Sequence, residues 1–179
     1  MSVIVEPSRP PAARAVYRVR QGLVHLWPSR DEPVDAELAA LLAAEQYRLV
    51  SRLPFADRRH LLTVWRRLAA LTGDPELLLA GLLHDAGKAD GRVRARLSQR
   101  VLVVLLGRRA PRLLAALAQP SRFSWRQGLY LAVAHPRLGA ELARGAGAGG
   151  RACWLIAHHH DDEATDPGLR LLRQIDEES

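Results

Sequence analysis

Six of the seven histidines in this 179-residue chain lie after residue 55, and several fall where a helix would turn them inward. His60 shares a helical stripe with Val64, Leu68 and Leu71, and His84 shares one with Leu77 and Gly81. Asp176 lies four residues after Leu172 and seven after Leu169, so it faces the same way as those leucines. Buried imidazoles and a buried carboxylate are costly unless they are paired or bind a metal. A shared metal would satisfy them together. Cys153 is the lone cysteine, which removes thiolate sites and disulfides and leaves nitrogen and oxygen donors. Such donors suit Mn²⁺, Fe²⁺, Co²⁺ or Zn²⁺ better than an all-oxygen Mg²⁺ site. Two local clusters strengthen this reading. His84-Asp85 stands in an apolar segment ahead of Gly87 and Lys88, the only lysine in the chain, and His158-His159-His160 is followed by two aspartates. The spacing is not that of a zincin, so the ligands must come from several helices.

The elements that would position these groups are helical. Asp35 is an N-cap candidate for a segment running through Leu38, Leu42 and Leu49, and Pro54 breaks it. Asp57 can cap the next helix, which Gly73 ends. Asp74-Pro75-Glu76 reads as cap, first-turn proline and first-turn acid for a helix through LLLAGLLHDAG, and Asp166-Pro167 starts a last helix through Asp176. Apolar periodicity also covers about 92–106, 110–118 and 124–134. Pro136 suggests a new helix with His135 at its N-cap, and 145–150 (GAGAGG) reads as a loop. Nothing alternates as strands do. The expected fold is an all-α bundle of seven or eight helices over residues 36–179, preceded by a proline-containing arm over 1–35.

Apolar content of 48% excludes a wholly disordered chain. No apolar run approaches the ~18 residues of a membrane span, and the N-terminus lacks the pattern of a signal peptide, so a cytoplasmic protein without a membrane partner is expected. The net charge is +7, and nine arginines with no acid fall between residues 91 and 127. That stretch reads first as a solvated helix surface and second as a phosphate-attracting face.

The segment LLAGLLHDAGK (78–88) resembles the central motif of the HD superfamily of metal-dependent phosphohydrolases. The resemblance implies an all-α fold. It makes His60 the first ligand, His84-Asp85 the paired ligands and Asp176 the late aspartate. HPRLGAEL (135–142) and WLIAHHHD (154–161) are similar to the elements that complete a second metal site in binuclear members. This implies ligands at His135 and at His158 and His159, with His160 as the alternative. The likeness covers about residues 55–177. HD-GYP members carry a Gly-Tyr-Pro after their His-His-Glu segment. HHHDDEATDPG has neither, which makes cyclic-di-GMP a poor candidate substrate. The sequence ends three residues after Asp176, so no C-terminal specificity domain is expected.

On this resemblance one or two divalent ions activate a hydroxide for in-line attack on phosphorus. Asp85 would bridge the ions. Lys88 would stabilise the phosphoryl oxygens or orient the nucleophile, and Arg58 and Arg59 could hold the remaining phosphate. The expected substrate is a small phosphorylated molecule, a nucleotide first among them. The alternative is a non-catalytic module on the same scaffold that binds metal or nucleotide. A nucleic-acid partner ranks last, because the basic stretch lacks the interleaved aromatics of single-strand binders.

Overall fold

Asp74 and Asp166 start their helices as their Asp-Pro sequences predict. Asp74 Oδ1 accepts the amides of Glu76 and Leu77, and Asp166 Oδ1 accepts that of Leu169. Each proline occupies the first turn, where its missing N–H leaves no bond unmade. The computed structural model describes residues 32–161 and 165–179. Nine α-helices follow one another there: α1 Glu32–Leu41, α2 Ala44–Val50, α3 Phe55–Ala69, α4 Pro75–Leu83, α5 Leu97–Arg109, α6 Pro111–Leu117, α7 Ser124–Gly145, α8 Gly150–His158 and α9 Pro167–Glu178. A 3₁₀ turn, Ala86–Lys88, follows α4. The only β pairing among the described residues is a single bridge between Ala89 and Arg94. The fold is all-α, with more and shorter helices than the periodicity implied.

The apolar helix α4 is central. Leu77, Ala80, Leu82 and Leu83 are buried in the main core, which also takes Leu61, Val64 and Leu68 of α3, Leu155 and Ile156 of α8, and Leu169 and Leu172 of α9. Glu76, in the first turn of α4, accepts the Ala152 amide at 2.7 Å and so caps α8 across the bundle. Among the described residues no helix is long and apolar enough to cross a membrane.

Several local expectations change in the folded chain. The expected single helix from residue 35 to 49 breaks between Leu41 and Ala44, and Asp35 lies inside α1 rather than at its cap. Asp57 lies in the first turn of α3, whose N-cap is Pro54. Leu71 falls past the end of α3 and is exposed. Pro136 does not begin a helix. It sits inside the 22-residue α7. Proline removes the amide that would bond the Ala132 carbonyl, and the His135 ring occupies that carbonyl instead, with Nδ1 3.1 Å away. Of the expected arm over 1–35, residues 1–31, with His25 and Trp27, lie outside the described residues.

Candidate metal centre

Each imidazole of the central group is held from behind by its own helix. Nδ1 of His84, His135 and His159 lies 3.0, 3.1 and 2.7 Å from the carbonyl three residues earlier, those of Gly81, Ala132 and Ile156. A carbonyl accepts only, so Nδ1 carries the proton and donates. Nε2 is turned away from the helix in all three, and at His135 and His159, which burial keeps neutral, it is bare, which is how metal-binding histidines are commonly oriented.

The helices bring these rings together from distant parts of the chain. His60 comes from α3, His84 and Asp85 from the end of α4, His135 from α7, His159 and His160 from the end of α8, and Asp176 from α9. The rings form a chain, with centroids 5.5 Å apart for His60–His84, 5.1 Å for His84–His159 and 5.3 Å for His159–His135. Two groups have donor atoms that all lie within 4.8 Å of one another: His60, His84 and Asp85, and His135, His159 and His160. Asp176 Oδ1 joins the first, 2.8 Å from His60 Nε2 and 3.3 Å from His84 Nε2. In the second, Nε2 of His135 and His160 are 3.1 Å apart, close to the ~3.4 Å between two nitrogens on one tetrahedral ion. Asp85 Oδ1 stands between the groups, 3.6 Å from both His84 Nε2 and His135 Nε2.

Whether the donors suit a metal can be judged from the protein alone. His84 Nε2, Asp85 Oδ1 and His159 Nε2 are buried without a hydrogen-bond partner. An unsatisfied buried group costs about 1–3 kcal/mol, and the three belong to the two neighbouring donor groups. Cations held there would satisfy each of them, so the residues present fit a divalent metal.

Electrostatics separates the two groups. Burial pushes His84 down, but the Asp85 and Asp176 carboxylates outweigh it and raise it to about 9. Burial opposes ionisation of Asp85 as well. The positive charges of Lys88 first and then His84 overcome that and hold it well below the usual carboxylate range. Asp176 is held low against burial by His84 and His60. His135 and His159 are driven well below the ordinary histidine value, by burial first, then by Lys88 on His135 and by His160 and His84 on His159. The Lys88 ammonium pairs with Asp85 Oδ2, leaving Oδ1 turned toward the histidines.

Two of the residues expected here stand elsewhere. His158 points away. Its Nδ1 lies 2.7 Å from the Trp154 carbonyl, and its ring stacks on the Trp154 indole at 4.6 Å. The histidines gathered at the end of α8 are therefore His159 and His160 rather than His158 and His159. Successive helical residues point about 100° apart, so adjacent histidines cannot be exchanged. Arg58 is taken by Asp35, with bonds of 2.6 and 2.9 Å, and by the Leu53 carbonyl, which joins α3 to α1 and leaves no donor fork for phosphate. Arg59 is half-buried and makes no ion pair among the described residues.

Sequence reasoning missed three supports. Arg100 of α5 grips the buried Asp57 at 3.0 and 2.7 Å, which ties α5 to the helix carrying His60. Gly87 and Gly139 let the 3₁₀ turn lie directly on the α7 backbone. A Cβ on Gly87 would fall 2.6 Å from the Gly139 nitrogen and closer still to the His135 carbonyl oxygen. The signal was present as the glycines of HDAGK and HPRLGAEL, but their meeting is a tertiary fact.

Residues 58–179, more than half of the chain and all of the centre just described, match the HD domain family. No curated protein and no solved structure matches the chain. With its helical fold, its His-Asp pair at the end of α4 and a family match across the whole centre, the chain belongs to the HD domain family.

Proposed function

We propose that the protein is a metal-dependent phosphohydrolase that cleaves a phosphoester of a small phosphorylated molecule, with nucleotides as the leading substrate class. The observation that carries this reading is Asp85 Oδ1, buried, unpartnered and equidistant from a histidine of each group. One carboxylate oxygen so shared suits a ligand common to two ions. Membership of a family that generally consists of hydrolases supports the reaction class. His60, His84, Asp85 and Asp176 would hold one ion, and Asp85, His135, His159 and His160 the other. Bound Mn²⁺, Fe²⁺, Co²⁺ or Zn²⁺ would supply hydroxide near neutral pH and neutralise phosphoryl charge. The protein's own contribution is orientation. The Nδ1 bonds fix the three buried rings, and Lys88 keeps Asp85 ionised through Oδ2. The same ammonium places a positive charge beside the centre, where developing charge on phosphoryl oxygen is stabilised.

Elemental analysis of protein purified without chelators tests the metal. Phosphate release from a nucleotide panel, run with that metal, tests the reaction. Asp85→Asn is expected to lose both. Turnover by metal-depleted protein or by Asp85→Asn overturns the proposal. Metal and nucleotide binding without turnover across all four metals would instead assign a non-catalytic regulatory module.

A further inference from the structure

Directly after Lys88 the chain forms a short built loop. The Asp90 carboxylate accepts the amides of Arg92 and Val93 at 2.9 and 2.7 Å, and its other oxygen takes Gln127 Nε2 at 2.9 Å. Gly91 makes the turn with φ +87°, Ala89 bridges to Arg94, and the Ala95 amide returns to the Lys88 carbonyl at 2.8 Å. The loop therefore holds its shape through backbone and Asp90 bonds that use none of its arginine side chains. Those side chains surround a cleft of about 510 Å³ lined by Arg52, Arg92, Arg94, Arg96 and Ser124.

The four guanidinium groups are unmatched. Arg58, Arg66, Arg67, Arg100 and Arg151 each meet a carboxylate. The four in the cleft meet none among the described residues, and the loop's one acid, Asp90, is turned to backbone amides and Gln127. Like charges converging on one cavity repel, and an anion entering it removes that repulsion. Guanidinium forks also match phosphate oxygens in pairs.

We propose that this cleft binds the oligophosphate portion of a small molecule. Its volume lies within the ~300–1,000 Å³ of small-molecule sites, it is a half-open cleft rather than a stripe, and no aromatic residue lines it for base stacking. Ala89 of its wall follows Lys88, whose ammonium pairs with Asp85, so the chain runs directly from the metal centre into the cleft. Resting on the phosphohydrolase reading, the inference narrows the substrate class to molecules carrying a chain of phosphates, one at the metals and the others among the arginines.

Calorimetric titration of metal-free protein with tripolyphosphate and with orthophosphate tests the site apart from any catalysis. Tripolyphosphate should bind at least tenfold more tightly than orthophosphate. Arg92→Ser/Arg94→Ser should weaken it at least tenfold, and Arg108→Ser/Arg109→Ser, which removes the same charge from exposed positions outside the cleft, should leave it unchanged. Arg92 and Arg94 are exposed, so their double variant opens no core, and its thermal midpoint should match or exceed that of the parent. Absent binding, or binding indifferent to the Arg92/Arg94 variant, overturns the cleft. A 20-nucleotide RNA that outcompetes tripolyphosphate and loses affinity steeply with salt overturns it in favour of a nucleic-acid backbone. Failure of the phosphohydrolase reading appears separately, as tripolyphosphate binding that persists in a protein releasing no phosphate with any metal.

Discussion

Replacing Gly87 with alanine should pull the two halves of the metal centre apart without touching a ligand. The 3₁₀ turn carrying Gly87 lies on α7 so closely that an added Cβ meets backbone: 2.6 Å from the Gly139 nitrogen, 2.9 Å from His135 Cα and nearer still to the His135 carbonyl oxygen. None of these atoms can rotate away. Ordinary contact distances of ~3.5 Å require the turn and helix to separate by about 1 Å. Asp85 lies two residues before Gly87, and His135 is one of the residues it would strike. The 3.6 Å gap from Asp85 Oδ1 to His135 Nε2 should therefore widen by a comparable amount. Overpacking of this kind costs about 1–3 kcal/mol, and a misplacement of ~1 Å costs about 100-fold in rate where chemistry depends on alignment. Equilibrium dialysis with Mn²⁺, read by elemental analysis, should show the His135 site weakened at least tenfold and the His60–His84–Asp85 site retained. The thermal midpoint should fall. Gly73→Ala is the control, because nothing lies within 4 Å of a Cβ there. If Gly87→Ala kept full metal stoichiometry, unchanged affinity and an unchanged midpoint, the close approach would not be what sets the site.

Three further outcomes follow from the same geometry. His160→Ala should lose metal from the second group, whereas His158→Ala should keep it, because His158 stacks on Trp154; dialysis of the two variants side by side decides which pair is used. Stability of the metal-free protein should peak near pH 6.5, the ordinary histidine value. Below it the unfolded chain protonates His135 and His159, which the fold holds neutral. Above it the unfolded chain loses the proton that folded His84 keeps to about 9, so stability falls from 6.5 through 9. A midpoint that rises steadily across pH 6.5–9 would contradict this. Arg100→Ala leaves Asp57 buried without its partner. It should cost about 3 kcal/mol, the low end for a broken buried pair because Arg100 is 27% exposed. That is a drop of roughly 6–12 °C in thermal midpoint, which Arg100→Met combined with Asp57→Leu should largely restore.

Much of the centre is legible in residue order because helical periodicity assigns faces. His60, His84 and Asp176 share stripes with apolar residues that are indeed buried, Val64, Leu68, Leu77, Leu169 and Leu172 among them. Asp74 and Asp166 cap their helices through bonds spanning two or three residues, and interactions that local survive any change of tertiary context. The lack of a second cysteine likewise sets the donor chemistry before any folding is considered.

What lay beyond the sequence depends on contacts between residues far apart in the chain. Arg58 offers a guanidinium suited to phosphate, but Asp35, 23 residues earlier, takes it. Asp57 has the residue type and place of a cap, but Arg100, 43 residues later, claims it. Pro136 stays inside α7 because the carbonyl it orphans is met by the ring of its own neighbour. The choice among His158, His159 and His160 turns on where α8 ends and which way each side chain then projects. The sequence by itself determined the helical class, the inward-facing His and Asp residues and the nitrogen and oxygen donors they offer, because those follow from period and chemistry. Only the tertiary structure decided which histidines meet, which arginines are already paired and which four are left around a cleft. Pairing is settled by distance in space, and residue order does not encode that distance locally.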